Sequence, residues 1–152
     1  RCCGELFADH KVLSIRSATD SDMKSRRFVE IAGRAMGSPA SAAEFIAQAR
    51  SRDASGLVAC SEGRVVGTLI SELRDDGSIE IINVATTHDM ERQGVGRSMV
   101  SYLLARSRGR PIHAETDGDA VGFYRSLGFA IESLGEKYPG TVRYRCVSMG
   151  PR

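Results

Sequence analysis

No run of apolar residues in these 152 positions approaches the length of a membrane span. The N-terminus also lacks the charged-then-apolar pattern of a secretion signal. Charge of one sign is missing too. The net charge is only +2, and no basic stretch is interleaved with aromatics, so nothing argues for a nucleic-acid partner. Lysine is scarce: Lys11, Lys24 and Lys137 stand against a large excess of arginine, a bias we read as genome composition. Metal-ligand spacing is absent. Cys2 and Cys3 adjoin near the terminus, Cys60 and Cys146 fall in expected strands, and no two of His10, His88 and His113 are spaced as ligands. Free thiols fit a reducing cytoplasm, so a cytoplasmic protein without a metal is expected. Repeats, low-complexity tracts and linkers are lacking as well. A chain of 152 residues then suits one domain with a real core. It begins at Arg1 rather than methionine, as a trimmed or incomplete product would. Residues 1–10 are expected to be a mobile N-terminal extension, and 11–152 a single domain.

What is present is organised around residues 79–106. An apolar strand over 79–86 runs through a polar turn into Arg92-Gln93-Gly94-Val95-Gly96-Arg97 and then a helix. In that helix Met99 and Leu103, and Val100 and Leu104, repeat at i, i+4 and form one apolar face. Glycines feeding a helix start leave backbone N–H groups unpaired at the positive end of the helix dipole, which makes a phosphate site. A dinucleotide fingerprint would need a third glycine where Met99 stands, and no Gly-Lys-Ser/Thr follows for a P-loop. Before this stretch, a strand over 11–16 and N-cap chemistry at 17–22 precede a helix marked by Phe28, Ile31, Ala32 and Ala35. A Gly-Pro break then leads to a second helix, with Ala42, Phe45, Ile46 and Ala49 inward. Hairpins turn at 61–63 and 75–77, and Gly67 within a strand suggests a bulge or a close backbone approach. A strand over 112–115, a helix over 119–127 and closing strands over 129–134 and 141–149 complete the order.

Residues 92–97 resemble the pyrophosphate loop of the GNAT superfamily, the acyl-CoA-dependent N-acyltransferases, whose pattern is Arg/Gln-x-x-Gly-x-Gly/Ala. Gly94 and Gly96 match it, while Glu91 stands at the leading position, where an acidic side chain beside a diphosphate is unfavourable. Arg92 and Gln93 are expected to compensate, with the backbone amides carrying most of the binding. Downstream, residues 117–129 resemble the second GNAT signature, Asn-x-x-Ala-x-x-Phe-Tyr-x-x-x-Gly-Phe, with Asp117 in place of the Asn. The resemblance implies a three-layer α/β/α sandwich around a mixed, mostly antiparallel sheet that splays between the strands beginning at 78 and 111. It implies that acetyl-CoA enters the gap, its pantetheine pairing with backbone near Val84 and Thr86, with Ala85 also at the coenzyme site. Arg92, Gln93, Gly94, Val95, Gly96, Arg97 and Asp117 would hold the rest of the coenzyme.

The reaction implied is acyl transfer from sulfur to an amine. A lysine-like amine has a pKa of about 10.4, so holding it deprotonated at pH 7 costs on the order of 4.6 kcal/mol. A general base helps. Glu80 lies where histone-type lysine acetyltransferases resembling this sequence place theirs, and flanking isoleucines would raise its pKa. The competing reading is a solvent-facing glutamate on a sheet. Tyr124 matches the tyrosine that protonates the departing thiolate in many members, and the competing reading there is a packed aromatic. No serine, cysteine or histidine arrangement suggests a covalent acyl-enzyme, which leaves direct attack in a ternary complex. The expected acceptor is a small-molecule amine. A protein lysine or N-terminal amine, and a non-catalytic acyl-CoA sensor, are the alternatives; a homodimer is open.

Overall fold

The computed structural model describes residues 5–8, 11–36 and 39–149. Eight strands form one sheet: β1 (Glu5–Ala8), β2 (Lys11–Ser17), β3 (Ser55–Ser61), β4 (Arg64–Leu73), β5 (Ile79–Thr86), β6 (Pro111–Asp117), β7 (Ala130–Tyr138) and β8 (Thr141–Met149). The helices are α1 (Asp20–Lys24), α2 (Arg26–Gly33), α3 (Pro39–Ser51), α4 (Val95–Ala105) and α5 (Val121–Ser126). Strand order is β1-β2-β3-β4-β5-β6-β8-β7. Every neighbouring pair is antiparallel except β5 with β6. No described helix is long and apolar enough to cross a membrane.

Two apolar clusters, one on each face of the sheet, make the three layers. Leu13, Ile15, Leu69, Met99, Val100, Ile112 and Cys146 pack on the side of α4 and α5. Met23, Phe28, Ala32, Ile46, Val58 and Ile70 pack on the side of α1 to α3. With both faces covered, β4 is buried without interruption from Val66 to Glu72. The expected close approach at Gly67 is real. A Cβ there would lie 2.7 Å from Val95 Cγ1 and 2.9 Å from Met99 Cε, so its glycine lets α4 sit on the sheet. A bulge also adjoins it, since Ala59 pairs with Gly67 while Cys60 pairs with Val65.

Within the N-terminal extension, Glu5–Ala8 form an edge strand paired with β2. One expectation needs correcting: the helix expected after residue 22 is two helices. Thr19 caps α1 in a capping box with Asp22, but Ser25 is extended (ψ 148°) and its hydroxyl accepts from the Phe28 amide. One serine thus ends α1 and starts α2. The second helix stops at Gly33, which leaves Ala35 exposed rather than buried.

The feature that positions the site is a fork. β5 and β6 pair only at Ile79–Ile112, Glu80–His113 and Ile81–Ala114. Immediately beyond, β5 carries a bulge: Ser71 pairs with Ile81 and Ile70 with Asn83, leaving Ile82 as the extra residue. A bulge bends its strand and sharpens the local twist, and here the pairing with β6 ends beside it.

Candidate active site

The fork opens into a cleft of about 840 Å³. Its floor is Ile81–Thr86 of β5. The loop entering α4 forms one wall, with Glu115, Thr116 and Asp117 of β6 and Phe123 and Tyr124 of α5 opposite. Arg34, Met36 and Phe45 close it on the α2–α3 side.

Strand geometry dictates what the floor offers. Thr87 donates its backbone N–H to Val66 O, at 2.9 Å, across a ladder in which Gly67 opposes Thr86 and Leu69 opposes Val84. Those two are therefore non-hydrogen-bonded pairs, and Thr86 and Val84 turn their backbone groups away from β4. They face the gap, where no described strand pairs with β5. Ala85 points the other way, into β4. The Thr86 carbonyl is already taken, accepting from Arg34 Nε at 2.8 Å.

The loop supplies a second polar surface. Arg92 (φ 61°) and Gly94 (φ 82°) are both left-handed and bracket Gln93. No side chain caps α4, and its first backbone bond runs from Ser98 N to Gly94 O. The amides of Val95, Gly96 and Arg97 thus lie ahead of the first helical hydrogen bond, the orphan donors of a helix start, and these suit an anion. Arg97 reaches across to α5, donating to Ser126 Oγ at 3.3 Å. Glu91 is ion-paired with Arg34, and His88 Nδ1 lies 3.6 Å from its other oxygen.

Most residues expected at the coenzyme site line this cleft: Val84, Ala85, Thr86, Arg92, Gly94, Val95, Gly96, Arg97, Asp117 and Tyr124. Gln93 does not. Its amide turns back to donate to Asp89 O at 3.1 Å. Asp117 lines the cleft, yet its carboxylate accepts from the amides of Asp119 and Ala120, each at 3.0 Å, and so shapes the turn into α5.

Tyr124 is 8% exposed and packs edge-on against Phe123 and Phe129, with centroids 5.0 and 5.3 Å away. Burial, with Cys146 and Glu80 as lesser causes, pushes its phenol up to about 12. Glu80 is not a lining residue. It sits one residue below the last β5–β6 pair, opposite Glu72 and His113, with Arg145 Nη1 4.0 Å from its carboxylate. The flanking isoleucines do not surround that carboxylate as expected. Strand alternation turns Ile79 and Ile81 into the cluster on the opposite face.

The structure adds residues that sequence reasoning missed. Arg34 is one; nothing at a helix end marks it locally. Arg143 and Glu115 face the cleft as an ion pair at 3.6 Å. Asn83 had a visible signal, a lone amide in an apolar strand. Its Nδ2 donates to Ala32 O at 3.3 Å, while its buried Oδ1 finds no donor among the described residues.

A forked sheet with exposed strand backbone on its floor and an uncapped helix start beside it defines a class of α/β protein built to hold an extended, phosphate-bearing ligand. The family profile described as "Acetyltransferase (GNAT) family" matches residues 22–129, and the chain belongs to that family. A search of curated proteins gives no sequence match. Solved structures agree on the fold. The ribosomal-protein-S18-alanine N-acetyltransferase from Escherichia coli superposes with a TM-score of 0.74 at 22% identity, covering 92% of this chain and 95% of its own. A GNAT acetyltransferase from Elizabethkingia anophelis with acetyl-CoA bound gives 0.70 at 16%, covering 90% and 97%. An aminoglycoside 6'-N-acetyltransferase complexed with coenzyme A gives 0.73 at 15%, covering 91% and 98%.

Proposed function

We propose that this acetyltransferase moves an acetyl group from acetyl-CoA to a primary amine of a small molecule, by direct attack within a ternary complex. The observation that carries the reading is the fork: gap-facing backbone at Val84 and Thr86 beside the uncapped start of α4. Both features fit the coenzyme. A pantetheine with two amides can pair with a strand that lacks its neighbour, and a diphosphate can sit on the amides of Val95, Gly96 and Arg97. When bound, acetyl-CoA supplies the activated acyl carbon. A gap-facing N–H at Val84 or Thr86 supports the carbonyl oxygen as charge develops on it.

Glu80 serves as the base. Lying one residue below the fork, it receives the acceptor's proton through an intervening water. Tyr124 approaches from the α5 side, where burial keeps its phenol protonated. A phenol held at about 12 does not surrender its proton to a thiolate of about 8.5; full transfer would cost on the order of 5 kcal/mol. Its contribution is a hydrogen bond to the departing sulfur. Arg34, Met36 and Phe45 line the α2–α3 side of the cleft, where the acceptor would sit.

The test is a panel of amines, peptides and aminoglycosides mixed with acetyl-CoA while free thiol is followed. Small primary amines are expected to outrank peptides. Selective turnover of a peptide would reassign the acceptor to a protein amine, and silence across the panel would favour an acyl-CoA sensor.

A further inference from the structure

Glu91 poses a problem that the backbone around it solves only in part. It lines the cleft at the head of the loop proposed to hold a diphosphate, and a carboxylate there would repel that group. The structure places one guanidinium where it cancels that charge. Arg34, the residue that ends α2, donates through Nη2 to Glu91 Oε1 and through Nε to the Thr86 carbonyl, at 2.8 Å. The planar fork of an arginine suits this double contact; a lysine could make only one of the two at a time.

We infer that Arg34 is a positioning residue of the coenzyme site, supplying from α2 the positive charge that the loop lacks at Glu91. The inference rests on the acetyl-CoA reading above. Arg34 draws the Glu91 carboxylate into an ion pair and so lowers the repulsion a diphosphate meets. Its second contact, from Nε to the Thr86 carbonyl, holds the guanidinium beside Glu91. Because Arg34 sits 57 positions before Glu91, the pair also ties the acceptor-side helix to the donor-side loop. An ion pair this exposed, 39% and 48% by side chain, adds little to folding. Its effect therefore belongs in coenzyme affinity, where a merely structural pair would register nothing.

A double-mutant cycle tests this, read by calorimetric titration of coenzyme A and, separately, of phosphate-free pantetheine. Arg34→Ala should weaken coenzyme A binding about three- to tenfold, and Glu91→Gln added to it should restore most of the loss. Pantetheine affinity should move by no more than about twofold in either variant, since it lacks the diphosphate. Unliganded melting temperatures establish that each variant is folded. Should Arg34→Ala fail to fold, Arg34→Gln, which keeps bulk without charge, carries the same comparison. Equal loss in the single and double variants, or no loss in Arg34→Ala, overturns the role of Arg34 and leaves the coenzyme reading standing. A parent protein that binds no coenzyme A overturns both.

Discussion

Glu80 and Tyr124, the two residues proposed to handle protons, sit in different environments: Glu80 lies in the β5–β6 seam opposite His113, and Tyr124 is buried against Phe123 and Phe129. The Tyr124 phenol holds its proton to about pH 12 because it is buried, so its donor capacity is constant across the working range. Tyr124→Phe keeps the packing on Phe123 and Phe129 and, on the proposed mechanism, removes one hydrogen bond to a charged sulfur. Turnover should fall about ten- to a hundredfold, by the same factor from about pH 6 to 10, with acetyl-CoA affinity unchanged. A loss that varies with pH in that window would show that the phenol titrates there and that burial does not govern it. Glu80→Gln should behave otherwise. On the proposed mechanism it removes the base, so turnover near neutral pH should drop about 10²- to 10⁴-fold. That deficit should shrink as pH climbs toward about 10.4, where the amine arrives already deprotonated. If the variant matches the parent at every pH, Glu80 is a structural partner of Arg145, and proton removal belongs to solvent.

At the level of elements, the two loop glycines separate folding from binding. Gly94 holds φ 82° with open space around its absent Cβ, so Gly94→Ala meets strain rather than a clash. It should cost about 1 kcal/mol and lower the melting temperature by roughly 2–4 °C. Gly96 is helical, and a Cβ there would make ordinary contacts, 3.5 Å from Phe123 and 3.7 Å from Val84. Gly96→Val should therefore fold, yet weaken acetyl-CoA by at least about tenfold by narrowing the cleft. Parent-like affinity in Gly96→Val would move the diphosphate away from this loop. Such a loop is readable in sequence because strand, glycine and helix start follow one another along the chain. The rest of the site is set across the sheet and leaves little local trace. The bulge at Ile82 exists only relative to the register of β4, and Arg34 meets Glu91 only after α2 packs on β5. The break at Ser25 was hidden differently: the apolar spacing of Phe28, Ile31 and Ala32 does not reveal that a new helix begins there. Glu5–Ala8 became a strand only through pairing with β2. Fold class and the glycine loop entering α4 were legible, while the rest of the cleft was not, because Arg34, Asn83, Glu115 and Arg143 converge from separate elements.

Across the whole molecule, the sheet is joined at its middle by a short seam. Seven residue pairs link β4 to β5 and seven link β6 to β8, but only three link β5 to β6. The two halves also share an apolar cluster on the α4–α5 face, from Leu13 and Leu69 to Tyr124 and Cys146, and side-chain bonds such as Arg97 to Ser126 and Arg110 to the Gly77 carbonyl. A ligand lying along the open part of the fork would touch both halves where β5 and β6 no longer pair. Acetyl-CoA at a hundredfold excess over its dissociation constant should then stabilise the fold by about 2.7 kcal/mol. For a chain of this size that is a rise of roughly 5–10 °C in melting temperature. A thermal shift alone would not locate the ligand, so amide hydrogen exchange supplies the second measurement. The N–H groups of Val84 and Thr86 face the gap and should gain protection on binding, as should those of Val95, Gly96 and Arg97 at the start of α4. Ala85 points into β4 and should change far less. A melting shift accompanied by no added protection at Val84 and Thr86 would place the coenzyme outside the fork, and the backbone-pairing account of this site would fall with it.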